Sequence, residues 1–196
     1  MHKSLTLALL TVFLLAATSR ADVANFDGID VSGGPQELFT FDGFTALNLA
    51  VIDKDWQPGT GYEFGNLSPE NSAFNNFAQP VTISRTSGSH FNFVGASFAG
   101  AWRDQLTIFV SGFLNNQLTD FKLFEVDSTG PSFVTLDFTN IDTLIIASFG
   151  GVDAGYGGGP GDQHFVMDDF TYVVPEPSSM VIAALLGLGA FARRRR

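Results

Sequence analysis

Leu106-Thr-Ile-Phe-Val-Ser111 places Leu106, Ile108 and Val110 on one side of an extended chain. Successive side chains of a β-strand point to opposite faces, so this stretch reads as a strand with one face in a core. On either side of it the same signal repeats. Val81-Thr-Ile83 and Phe91-Asn-Phe93 alternate upstream, and Leu118–Glu125, Phe133–Phe138, Thr143–Ser148 and His164–Val174 follow downstream. Strands at roughly ten-residue spacing, split by Gly, Asn and Ser turns, indicate a β-sandwich or barrel. Neither a capped amphipathic helix nor a repeat period interrupts them. The expected fold is therefore an all-β antiparallel sandwich, with jelly-roll topology the leading arrangement.

The N-terminal part is less regular. Val23–Asp27 and Leu38–Asp42 read as short strands split by Ser32-Gly-Gly-Pro35, and Phe44–Asp53 adds an apolar run. Lys54–Gln79, rich in Gly, Asn, Pro and Asp, reads as a long surface loop with Tyr62-Glu-Phe64 as a short strand. The chain has 21 phenylalanines and no cysteine. Its core must therefore be aromatic-rich and hold without disulfides.

Both ends carry addresses. Lys3 precedes the apolar run Leu5–Ala17, and Ser19-Arg20-Ala21 supplies small residues at the −3 and −1 positions of a cleavage site. Residues 1–21 are thus a secretory signal peptide, cut by signal peptidase after Ala21. At the other end, Pro175-Glu176-Pro177 precedes an uncharged run, Ser178–Ala192, and four arginines, Arg193–Arg196. Fifteen helical residues rise about 22 Å, short of a hydrocarbon core of roughly 30 Å. Bilayer thinning and snorkelling arginines offset much of that deficit. The arginines stay cytoplasmic under the positive-inside rule, which puts the body outside the inner membrane. Residues 22–173 form the body and 174–196 the tail.

With both addresses set aside, four basic residues face 20 acidic ones between Asp22 and Glu176, a net charge of −16. Such a charge repels nucleic acid and anionic lipid, and leaves carboxylates free for calcium.

The triplet, the short apolar helix and the arginine cluster resemble the PEP-CTERM sorting signal of Gram-negative bacteria. That resemblance implies transient inner-membrane anchoring and processing by an exosortase at or near Pro175, Glu176 and Pro177. It implies export to the cell surface or extracellular polysaccharide matrix. The body is similar to a group of secreted domains related to galactose-binding-like, carbohydrate-binding jelly rolls. The resemblance rests on Phe26-Asp27, Gly61-Tyr62, Ser72-Ala-Phe-Asn75, Ala101-Trp102, Ile141-Asp142-Thr143 and Phe165–Phe170.

Three expectations about sites follow. Asp27 and Asp30 near the first strand, with Asp168 and Asp169 in the last, are candidate ligands for a structural calcium ion, because jelly rolls of this kind bring those strands together. Adjacent strand residues face opposite sides, so Asp168 and Asp169 require a bulge or a buried partner. Trp56 and Tyr62, among Asp53, Asp55, Gln57 and Asn66, suit stacking against a sugar. Tyr156, in the glycine-rich crossover Gly150–Gln163, offers another aromatic face. Catalysis finds no support: His90 and His164 lack zinc-binding spacing, and Gly95-Ala-Ser97-Phe-Ala99 misses the nucleophile elbow at its fifth residue. A non-enzymatic surface or matrix protein that binds extracellular polysaccharide is the leading expectation; a purely structural surface protein is the alternative, and a glycan hydrolase the least favoured.

Overall fold

The computed structural model describes residues 20–159 and 161–175. Residues 20–175 form one compact unit. Its strands are β1 (Asp22–Ala24), β2 (Gln36–Glu37), β3 (Thr40–Phe41), β4 (Phe44–Leu47), β5 (Leu49–Asp53), β6 (Asn71–Asn75) and β7 (Val81–Arg85). Longer ones follow: β8 (Phe91–Gly100), β9 (Arg103–Leu114), β10 (Gln117–Val126), β11 (Ser132–Ile141), β12 (Thr143–Asp153) and β13 (Phe165–Val173). A helical turn, α1 (Gly61–Phe64), and two 3-10 turns, Lys54–Trp56 and Asn76–Ala78, interrupt the first half.

The strands make two sheets. Sheet A runs β11-β8-β13-β6-β5-β2, with β1 beside the second half of β13; sheet B runs β10-β9-β12-β7-β4-β3. Every pairing is antiparallel. β9 and β10 form a hairpin, and outward from it β8 pairs with β11, β7 with β12 and β6 with β13. These nested pairs are a two-stranded ribbon wrapped so that its strands alternate between facing sheets, which is the jelly roll.

Leu106, Ile108 and Val110 are fully buried, as their alternation requires. Between the sheets, Phe44 meets Phe41, Phe91, Phe170 and Tyr172, with ring centroids 4.7–5.5 Å apart. A second aromatic set, Phe98 with Phe124 and Phe165, fills the core farther along. Nine phenylalanines are buried in this interior, while Phe39, Phe64, Phe77, Phe121, Phe133 and Phe149 are exposed.

Two readings of the first half are corrected. Lys54–Gln79 is not one surface loop, because Asn71–Asn75 is an inner strand of sheet A, buried throughout. Its sequence, Asn-Ser-Ala-Phe-Asn, does not alternate because both faces are covered. Asn75 is satisfied inside: Oδ1 accepts from Phe165 N at 2.7 Å, and Nδ2 donates to Ser148 Oγ at 3.0 Å. Tyr62-Glu-Phe64 is helical, not extended. Thr60 caps the turn, its Oγ1 accepting from Tyr62 N at 3.3 Å, while Glu63 Oε2 accepts from Gly59 N at 2.6 Å. Thr60-Gly-Tyr-Glu63 is close to a capping box, a signal present in the sequence.

The outer face of sheet B departs from the usual solvated pattern. Cross-strand neighbours form the row Phe121, Ser111, Ile145, Thr82, Leu47 across five strands. A second row is Leu123, Phe109, Ala147, and a third is Glu125, Thr107, Phe149. Glu125 is the only charge in these rows.

Candidate functional site

Residues 54–70 lie as a flap over the outer face of sheet A. Beneath it, Ala50, Ile52, Phe74, Ala99, Ala101 and Val166 form an apolar cluster completed by Tyr62, with Trp102 packed against it. The approach is close enough to demand glycine: a Cβ on Gly61 would collide with the carbonyl oxygen of Gly100, and one on Gly65 would sit 2.9 Å from Ala99 Cβ. The flap is a packed layer.

Tyr62 is 3% exposed, so its ring is not a platform for a sugar, contrary to the expectation. It stands edge-on to Phe74 and Trp102 at 5.4 and 5.6 Å, with its hydroxyl 2.6 Å from His164 Nδ1. Burial lowers the pKa of His164, although Asp162 opposes this, and burial raises that of Tyr62. Both groups are therefore neutral, and the imidazole tautomer decides whether the tyrosine hydroxyl or Nδ1 donates. The pair anchors α1 to the start of β13.

The other two aromatic candidates are accessible. Trp56 is 51% exposed, with the edge of its indole against Gly34. Phe64, 41% exposed on the same flap, has its ring 6.5 Å from that of half-buried Tyr156. Ser128 Oγ donates to Asp104 Oδ1 at 2.6 Å and lies 3.3 Å from Tyr156 Oη. The structure thus places Trp56 and Phe64 on the flap and Tyr156 at its border, while Tyr62 and Trp102 pack into the cluster beneath the flap. Phe64 belongs with Trp56 and Tyr62 to the aromatics that sequence places outside clear strands, and its exposed place on the turn is visible once Tyr62 is known to point inward.

The four aspartates divide. Asp168, fully buried, accepts through Oδ2 from Leu67 N at 3.0 Å, Ser68 N at 2.7 Å and Ser68 Oγ at 2.8 Å, and through Oδ1 from Asp169 N at 2.7 Å. Asp27 Oδ1 accepts from Glu70 N at 3.2 Å and Asn71 N at 3.1 Å. First and last strands therefore do converge, but on the backbone of Leu67–Asn71. An N–H donor and a cation compete for the same lone pair, so Asp168 in this arrangement is a latch for the flap. Asp30 is exposed and accepts from Ser32 N at 3.0 Å, while Asp169 occupies the β13 bulge with φ of 51°. A bulge and buried partners are therefore both present: Asp168 is enclosed and fully hydrogen-bonded, and Asp169 is only partly buried. Among the described residues, no three His, Cys, Asp or Glu side chains gather as a metal site.

A surface cleft of about 330 Å³ lies where β1 and the following turn meet the β3–β4 turn. Asp42 is its one carboxylate, where two are needed for glycoside hydrolysis. Of the processing residues, Ala21 precedes β1 and Pro175 is exposed just past β13, whereas Glu176 and Pro177 lie outside the described residues.

The last strand of the sandwich ends where the C-terminal address read from the sequence begins. The profile of the PEP-CTERM protein-sorting motif matches residues 173–196, beginning at the final residue of β13. The chain carries this sorting motif, and with it a signal for export and exosortase processing. No curated protein matches the chain.

Proposed function

We propose that residues 22–173 are a non-catalytic module of the cell surface or extracellular matrix, binding extracellular polysaccharide through the aromatic surface of the flap. The sorting motif supports the surface location. The observation that carries the binding is the exposure of Trp56, with Asp53, Asp55 and Gln57 beside it in sequence, on a rigidly backed layer. Indole and phenyl faces stack on sugar rings, and neighbouring carboxylate and amide groups bond hydroxyls. Signal peptidase acting after Ala21 and exosortase acting at Pro175, Glu176 and Pro177 would release this body.

The test is co-sedimentation of the body with the producing organism's own extracellular polysaccharide, with calcium or with chelator. Trp56→Ala and Tyr156→Ala are each expected to weaken binding roughly tenfold, the scale of an interfacial hot spot. Trp56 sits at the surface and half-buried Tyr156 lies outside both core clusters, so the variants should unfold like the parent. Binding untouched by both changes, or no binding at all, would refute the reading. Loss with chelator alone would add calcium to it.

A further inference from the structure

We infer that the outer face of sheet B is where two copies of this chain meet. On an antiparallel sheet the face turned from the core is ordinarily polar. Here Phe121, Leu123, Phe149 and Leu47 are 60%, 51%, 49% and 58% exposed, with Phe109 and Ile145 partly buried between them. Phe109 and Phe121 touch as a tilted pair at 6.1 Å. Neighbouring strands and their register make the patch continuous. A contiguous exposed apolar face of this kind marks an interaction surface.

Charge selects the occupant. The region carries −16 between Asp22 and Glu176, so two copies repel wherever their carboxylates are brought together. This face is the exception, since Glu125 is the sole charged residue in its rows and lies at one end. A charged partner would find nothing here to pair with, whereas a second identical face offers matching apolar relief. Strands about 4.8 Å apart give a patch on the order of 500 Å² per copy, below the ~800 Å² of a standard interface. The dimer is accordingly weak in free solution, and gains when copies are concentrated on one surface. The inference stands apart from polysaccharide binding, which uses the flap on the other sheet.

Sedimentation velocity of the body, residues 22–173, which contains both sheets and the core, is the direct test. The expected result is a monomer–dimer equilibrium in the high-micromolar range that tightens as salt is raised, because salt screens the repulsion between acidic bodies. The double variant Phe121→Asp, Phe149→Asp should weaken dimerisation more than about tenfold, with its urea midpoint unchanged because both sites are exposed. A monomer at every concentration and salt, or a dimer indifferent to the double variant, would overturn the inference. So would a monomer whose binding to polysaccharide or to neutral lipid vesicles is abolished by the double variant, which would assign the face to another occupant.

Discussion

Asp168→Ala is expected to destabilise the body by about 3–5 kcal/mol, the scale of removing one partner from a buried charged network. Four donors from Leu67, Ser68 and Asp169 converge on this carboxylate; Ser68 Oγ also lies 3.0 Å from the carbonyl oxygens of Asn25 and Asn71, so the groups orphaned by its loss are the three main-chain N–H donors. Urea unfolding measures the loss. Limited proteolysis locates it, because residues 54–70 should become the first site of cleavage while the far-ultraviolet signal of the sheets persists. An unchanged midpoint would dismiss the latch.

The same carboxyl gives a pH dependence of known sign. Burial raises its pKa, and hydrogen bonds from Ser68, Asp169 and Leu67 pull it back only in part. The folded protein therefore keeps this proton to higher pH than the unfolded chain, whose aspartates titrate near about 3.9. The stability linked to that proton is present below the unfolded value and is lost as pH rises through the folded one. His164 contributes the opposite slope, since its lowered pKa makes acid unfavourable just below its ordinary value of about 6.5. Asp168→Asn removes the first effect and leaves the second. The stability difference between wild type and Asp168→Asn should thus shrink as pH rises from about 4.

Phe44→Ala is expected to cost a further and independent 3–5 kcal/mol or so, as for other fully buried aromatics. Phe44 is the hub at which β3, β4, β8 and β13 meet, through Phe41, Phe91, Phe170 and Tyr172. Arg85 caps the same ring, its guanidinium carbon 4.7 Å from the centroid. Truncation leaves a void spanning both sheets and strips the arginine of its platform. Thermal or urea unfolding reads the loss directly. A change below about 1 kcal/mol would mean that the surrounding rings collapse into the space.

Legibility followed the physics of burial. Where one face of a strand meets the core, as in β7, β9 and β12, alternation alone located it. Asn71–Asn75 was missed because the flap covers its second face and its amides are satisfied internally. The outer face of sheet B was hidden for another reason: alternation already sets Phe109 opposite Leu106, Ile108 and Val110, but only the register joins it with Leu123, Phe121 and Phe149 into one patch. Asp27 and Asp168 lie near the first and last strands, but their partners are main-chain N–H groups 43–44 and 100–101 residues away in sequence, which no residue type announces. Tyr62 was drawn as a surface ring because its neighbours are polar, although the helical turn that carries it directs it inward.

Asp22 pairs with Tyr172 at the rim of sheet A, so the chain enters and leaves the body at one corner. From that corner β13 runs nine residues, roughly 30 Å at 3.3 Å per residue, to Phe165 and the His164–Tyr62 anchor. A body joined to its surroundings through this corner is a lever with its foot at Val173 and its tip at Tyr156 and Phe64. A cut on either side of the foot frees one strand end without unpairing the other, so release from an anchor need not loosen the fold. The strand that takes the pull of the tail is an inner one, flanked by β8, β6 and β1. Load applied at Val173 is therefore shared across the sheet before any single hydrogen bond must give way.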